Sequence, residues 1–161
     1  MKRVKIKVLI LCFLVVYLIA FIGSLFTSSS VNSAWYESVR TSLTPPNWVF
    51  PVVWNILFFL IALSLYFAWT SKKSSKKTRL KIAVVFGINL GLNTLWSLLF
   101  FTLQNPVMAF CELILLWGSI LAMIVVVYKV RKVSAYLLIP YAFWVAFAGI
   151  LNYLIAFGKI Y

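Results

Sequence analysis

Residues 82–101, IAVVFGINLGLNTLWSLLFF, run for twenty positions without a charge. A helix rising 1.5 Å per residue crosses the ~30 Å hydrocarbon layer in about 20 residues, so this stretch alone can span a bilayer. Its flanks fix both ends. Before it stands Lys72-Lys73-Ser74-Ser75-Lys76-Lys77-Thr78-Arg79-Leu80-Lys81, too charged for lipid. After it comes Thr102-Leu103-Gln104-Asn105-Pro106, a short polar break suited to a tight helical hairpin. Outward from this centre lie four more apolar runs, at 8–26, 48–69, 107–128 and 135–157. Lipid offers no partner to a backbone N–H or C=O, so each run is predicted as a helix. The expected fold is all-α: a single domain over 1–161, an integral membrane bundle of five transmembrane helices with a long first loop on the outer face.

Composition points the same way. Apolar residues make up 65% of the 161, mean hydropathy is +1.06, and only 11% are charged, against ~25% in soluble domains. A water-soluble core of this size cannot hide so much apolar surface, which excludes a soluble enzyme. Fifteen Lys and Arg face two acids, Glu37 and Glu112, for a net charge of +13 with no Asp and no His. That balance in a soluble chain would point to nucleic acid. Here the cations flank apolar runs, where they set topology and meet anionic headgroups, so no nucleic-acid partner is expected. Without His there is no imidazole base and no His-ligated metal, and no cofactor is expected to be required. Cys12 and Cys111 sit in apolar runs outside any CxxC spacing and read as buried free thiols.

The first run, preceded by Lys2, Arg3, Lys5 and Lys7, also has the outline of a secretory signal peptide. It is longer than a usual signal core and no clear A-x-A site follows, so it is read as a retained helix. Lys72, Lys73, Lys76, Lys77, Arg79, Lys81, Lys129, Arg131 and Lys132 fall on the same side of a five-span chain as those first four cations; only Arg40 and Lys159 fall on the other. The asymmetry predicts a multi-pass cell-membrane protein with its N-terminus cytoplasmic and its C-terminus outside. The long outer loop, 27–47, contains Ser33-Ala34-Trp35-Tyr36-Glu37-Ser38-Val39-Arg40, a short interfacial helix with Ser33 as N-cap. A loop of that length in so compact a chain is read as a lid, with a plain tether as the alternative.

Polar residues within spans are costly and face the bundle interior. Asn89, Asn93 and Ser97 follow i, i+4, i+8 and share one stripe, beside Trp96; Trp144, Ala148 and Asn152 repeat that spacing in the last run, with Tyr153 alongside. Each Asn alone is explained by interhelical hydrogen bonding. Together with the deep tryptophans Trp54, Trp96, Trp117 and Trp144, they point to a cavity with polar anchors, whereas Trp35, Trp48 and Trp69 fit an interfacial belt. Glu112 is the one acid inside a span; it is either protonated or met by Arg40 from the loop. Ala83, Gly87 and Gly91 form a small-residue stripe, read as a homodimer seam with an intramolecular contact as the alternative. Leu151, Tyr153 and Lys159 fit the loose cholesterol-motif pattern, which carries little weight.

Three stretches together resemble the TspO/MBR family, the tryptophan-rich sensory proteins also known as translocator protein or peripheral-type benzodiazepine receptor. They are Trp35-Tyr36 with Thr44-Pro45-Pro46-Asn47-Trp48-Val49-Phe50 and Val53-Trp54; Asn93-Thr94-Leu95-Trp96-Ser97-Leu98-Leu99-Phe100-Phe101 with Pro106; and Pro140-Tyr141-Ala142-Phe143-Trp144-Val145-Ala146-Phe147-Ala148 with Leu151-Asn152-Tyr153. Departures from the family pattern stand at Arg40, Thr41, Leu43, Pro51-Val52 and Leu98. The resemblance implies a five-helix bundle, often dimeric, whose pocket opens toward the first loop and takes porphyrins and other tetrapyrroles, sterols or benzodiazepine-type ligands. By motif it implies ligand-binding roles for Trp35, Tyr36, Trp48, Trp54 and Asn93, and for Trp96, Trp144, Phe147, Ala148 and Asn152. The expected function is a receptor-like membrane protein binding porphyrin or another flat hydrophobic ligand. The alternatives are a light-dependent porphyrin-degrading enzyme, using Trp54 and Trp144, and a transporter or regulator of tetrapyrrole or sterol handling.

Overall fold

The computed structural model describes residues 4–28 and 30–158, so Lys2, Arg3 and Lys159 lie outside the described residues. In chain order the elements are α1 (Ile6–Ser28), α2 (Ala34–Val39), α3 (Val49–Trp69), α4 (Lys76–Ser97), a π-helical turn (Leu98–Thr102), α5 (Pro106–Val130), α6 (Lys132–Tyr136) and α7 (Ile139–Phe157). Among the described residues five helical stretches are long and apolar enough to cross a membrane: α1, α3, α4 with its π turn, α5, and α6 with α7. The chain is therefore an all-helical, multi-pass membrane protein.

Local chemistry explains several helix ends. Ser75 Oγ accepts from Thr78 N–H at 3.2 Å and starts α4 at Lys76, six residues before the apolar run begins. The lysine-rich segment is thus a first helical turn and a half, its long side chains free to reach water. Asn105 Oδ1 caps α5 by accepting from Met108 N–H at 3.0 Å, with Pro106 in the first turn, where its missing N–H costs nothing. Gln104 takes φ 49°, the left-handed turn that lets the hairpin reverse in three residues.

Two elements depart from the sequence reading. The last span is broken: α6 ends at Tyr136 and α7 restarts at Ile139. Pro140 has no N–H to donate back to the Tyr136 carbonyl and disfavours helical backbone in the residue before it. Ser64 Oγ, fully buried in α3, donates to Ser134 O at 2.8 Å and holds the short α6 against the bundle. The other departure is the π turn, where Leu103 N–H donates to Leu98 O at 2.9 Å, five residues back. The widened turn buries Leu99, Phe100 and Phe101 in succession, which the spacing of a regular α-helix would not allow on one face.

The packing divides the bundle lengthwise. α5 lies between α4 and α7, and α1 covers α3 and α4. Toward the lysine-rich end the interior is solid, with Ile61, Ile82, Leu116, Ile120, Met123 and Val127 closed off from the surface. Toward the first-loop end a separate cluster of Tyr36, Leu99, Phe100, Phe101 and Ala109 holds α2 against the π turn. Between the two lies open space.

Candidate ligand cavity

A cavity of about 510 Å³ lies in the first-loop half of the bundle, bounded by α1, α3, α4 and α7 and roofed by α2. That is within the size of small-molecule sites, roughly 300–1,000 Å³. Three indoles from three spans line it. Trp54 stacks on Phe58 with centroids 5.5 Å apart and meets Tyr141 edge-on at 6.1 Å. Trp96 stacks on Phe100 at 5.2 Å, 18° from parallel. Trp144 is buttressed by Phe50 at 5.9 Å and by Phe147 at 5.6 Å. These contacts fix the ring planes before any ligand arrives.

The polar groups divide into spent and available. Asn152 carries the Trp96 indole, its Oδ1 accepting from Nε1 at 3.0 Å, and its Nδ2 donates to Pro106 O at 2.8 Å. Its amide ties α7 to the start of α5. Asn89 is also structural: Nδ2 donates to Ser119 Oγ at 2.8 Å and Oδ1 accepts from Tyr141 Oη at 3.2 Å, behind the cavity wall. Asn93 Nδ2 donates to the same Tyr141 hydroxyl at 3.3 Å. The chain Asn93–Tyr141–Asn89–Ser119 thus fixes the Asn93 amide and turns its carbonyl oxygen away from the relay, on a residue that lines the cavity. Two further lining residues hold polar atoms that have no partner among the described residues but are sealed from the open space: Trp144 Nε1, a donor, and Asn47 Oδ1, an acceptor.

The geometry of the first loop follows from a few local contacts. Ser33 Oγ accepts from Tyr36 N–H at 3.1 Å, starting α2. Trp35 meets Phe100 edge-on at 5.7 Å and Tyr36 meets Phe101 at 5.6 Å, which seats the helix on the π turn. Arg40 pairs with Glu37 at 3.1 Å, donates to Pro45 O at 3.2 Å and lies over the Tyr36 ring. Burial pushes the Tyr36 phenol above its ordinary value, against the lowering effect of Arg40 and with a smaller push from Glu37. The hydroxyl is therefore neutral at physiological pH.

Of the ten residues singled out by motif, Tyr36, Trp54, Asn93, Trp96, Trp144, Ala148 and Asn152 line the cavity. Trp35, Trp48 and Phe147 do not. Trp35 instead packs edge-on against Phe100. Phe147 backs Trp144. Trp48 immediately precedes α3, is 67% exposed, and suits the interfacial belt. Trp117, expected deep in a pocket, faces outward instead and donates to Ala142 O at 3.0 Å across α5 and α7. Arg40 is engaged in the loop and is no partner for Glu112, whose carboxyl is 5% exposed with both oxygens unpartnered among the described residues. The spacing missed the α1 wall of Tyr17, Ala20, Phe21 and Ser24. Ala20, Gly23, Ser24 and Thr27 share one face at i, i+3, i+4, i+7, a small-residue stripe that was there to be read.

A sequence profile of the TspO/MBR family matches residues 11–157, so the match takes in the whole cavity and every span except the first turn of α1. The chain belongs to the TspO/MBR family. Among its TspO/MBR relatives, the tryptophan-rich protein TspO of Archaeoglobus fulgidus is 41% identical over 148 residues, covering 91% of this chain and 94% of that one. Protein CrtK of Rhodobacter capsulatus is 34% identical over 125 residues, 74% of this chain and 75% of its own. The human translocator protein is 32% identical over 135 residues, 83% and 79% respectively.

Proposed function

We propose that the protein is a receptor-like membrane binder of flat hydrophobic ligands, foremost a porphyrin or other tetrapyrrole, held among Trp54, Trp96 and Trp144. The observation that carries this reading is the 510 Å³ cavity faced by those three indoles from three different spans. Micromolar affinity, about −8 kcal/mol, needs on the order of 330 Å² of apolar burial before ordering costs, which one planar macrocycle can supply. Stacking on fixed indoles adds about 0.5–1.5 kcal/mol per ring. Asn93 Oδ1 offers an acceptor and the neutral Tyr36 hydroxyl a donor for the polar edges of such a ligand. Asn152 acts by holding Trp96 in place. Membership of the TspO/MBR family, whose relatives include translocator proteins, supports a membrane receptor or regulatory role.

The cation asymmetry supports an orientation with the lysine-rich end cytoplasmic and the cavity in the outer half of the membrane. Ala83, Gly87 and Gly91 are exposed on α4, and a Cβ added at either glycine meets nothing within 4 Å. We read this open stripe as the seam of a homodimer.

Titrating purified protein with protoporphyrin IX while following tryptophan fluorescence tests the binding reading. Saturable quenching is expected, with the apparent Kd raised at least tenfold in Trp144→Ala. Quenching that rises linearly without saturating, equal in both proteins, would mean partition into detergent and no site.

A further inference from the structure

The indole wall leaves one side of the cavity unexplained. Tyr17, Phe21 and Ser24 of α1, and Pro51 and Asn55 of α3, line the cavity and are also exposed on the outside of the bundle, Phe21 by 61%. A side chain that meets both an internal space and the membrane marks an opening between them.

The contacts of α1 show where that opening begins. Toward the lysine-rich end α1 and α3 are closed together: Phe13 packs edge-on to Phe59 at 5.3 Å, and Tyr17 Oη donates to Asn55 O at 3.2 Å. Past that level α1 turns its contacts to α4 and the π turn. A Cβ at Gly23 would lie 3.7 Å from Thr94 Oγ1, and Thr102 Oγ1 donates to Phe26 O at 3.3 Å. The two helices therefore diverge above the Tyr17–Asn55 bond, leaving a slot that faces lipid. Its rim carries a polar atom: Asn55 Nδ2 donates back to Pro51 O at 2.8 Å, while its carboxamide oxygen accepts no hydrogen bond among the described residues. Toward the loop only Ser28, at the end of α1, combines cavity lining with exposure. Tyr36, on the inner face of α2, is 3% exposed, and Asn47 Nδ2 donates across the loop to Val31 O at 3.4 Å.

We propose that the slot between α1 and α3 is the entrance to the cavity, opening into the leaflet at the first-loop end. The ligand class is then a flat amphiphile already dissolved in lipid, which slides in edge-first past Phe21 and Asn55 with the lid shut. This inference rests on the ligand-binding reading above.

The test uses the full chain in phosphatidylcholine vesicles, in a Cys111→Ser background, with protoporphyrin IX as the probe. Ser24→Cys, at the slot, and Leu43→Cys, in the exposed loop, are each labelled after folding with a bulky aliphatic maleimide. Stopped-flow tryptophan quenching then gives both rates, with unlabelled protein as the reference. Labelling Ser24→Cys should slow association and dissociation together by at least tenfold, while labelling Leu43→Cys changes either rate less than twofold. Rates unmoved by the Ser24→Cys label, or slowed only by the Leu43→Cys label, overturn the lateral entrance. Faster dissociation with unchanged association overturns it too, because the label then disturbs the site and not the path. Absence of saturable quenching in unlabelled protein would instead remove the binding reading itself.

Discussion

Glu112 is the side chain whose environment conflicts most with its chemistry. A carboxyl that is buried in a membrane span with both oxygens unpartnered forfeits its solvation without a hydrogen bond in return. Replacing such a group by an apolar one of similar volume is neutral or stabilising, unlike removal of one partner of a satisfied pair. Glu112→Leu is therefore expected to leave thermal stability unchanged or raise it by about 1 kcal/mol. Melting in detergent, followed by circular dichroism, checks this; a loss of more than about 2 kcal/mol would show that the carboxyl is satisfied by ordered water. Tyr141 is the contrasting case, because its hydroxyl serves Asn93 and Asn89 at once and no apolar group can do so.

Among the secondary elements, α2 has the least to hold it. Its six residues are too few for a helix to persist without docking and capping. Ser33→Ala removes the cap bond to Tyr36 N–H, a loss of about 0.5–2 kcal/mol, large against what so short a helix retains. Trypsin should then cleave after Arg40 several-fold faster than in the parent protein, as read by gel densitometry over time. Equal cleavage rates would mean that the Trp35 and Tyr36 ring contacts alone seat the lid. This helix was legible in advance because Ser33 followed by an apolar-aromatic run is a local signal. The π turn was not: nothing in Leu98-Leu99-Phe100-Phe101 distinguishes a widened turn from a regular one, and the choice is made by packing under α2. The break is signalled by Pro140 itself, but the run around it stays apolar and so reads as one span.

The five spans and their order followed from hydrophobic length and loop charge, which depend on the solvent more than on packing. Which side chains share the cavity is harder to read, because spacing gives the face of a helix but not the helix opposite. Thus Asn93, Trp96, Trp144, Ala148 and Asn152 line the cavity as their stripes predict, although Asn93 and Asn152 also bond to neighbouring helices, whereas Asn89, on the Asn93 stripe, lies behind the wall. The exposed Gly87 and Gly91 stripe gives a prediction for assembly. Gly91→Leu should raise the detergent elution volume from that of a dimer to that of a monomer, checked by light scattering; an unaltered mass would place any seam elsewhere. All these features serve one claim, that the void among Trp54, Trp96 and Trp144 is a receptor site. A crystal structure of the protein soaked with protoporphyrin IX tests it most directly. The account predicts the macrocycle inside the bundle, with a ring face against Trp144 or Trp54. Macrocycle density confined to the lipid-facing surface, with the interior space empty, would contradict it.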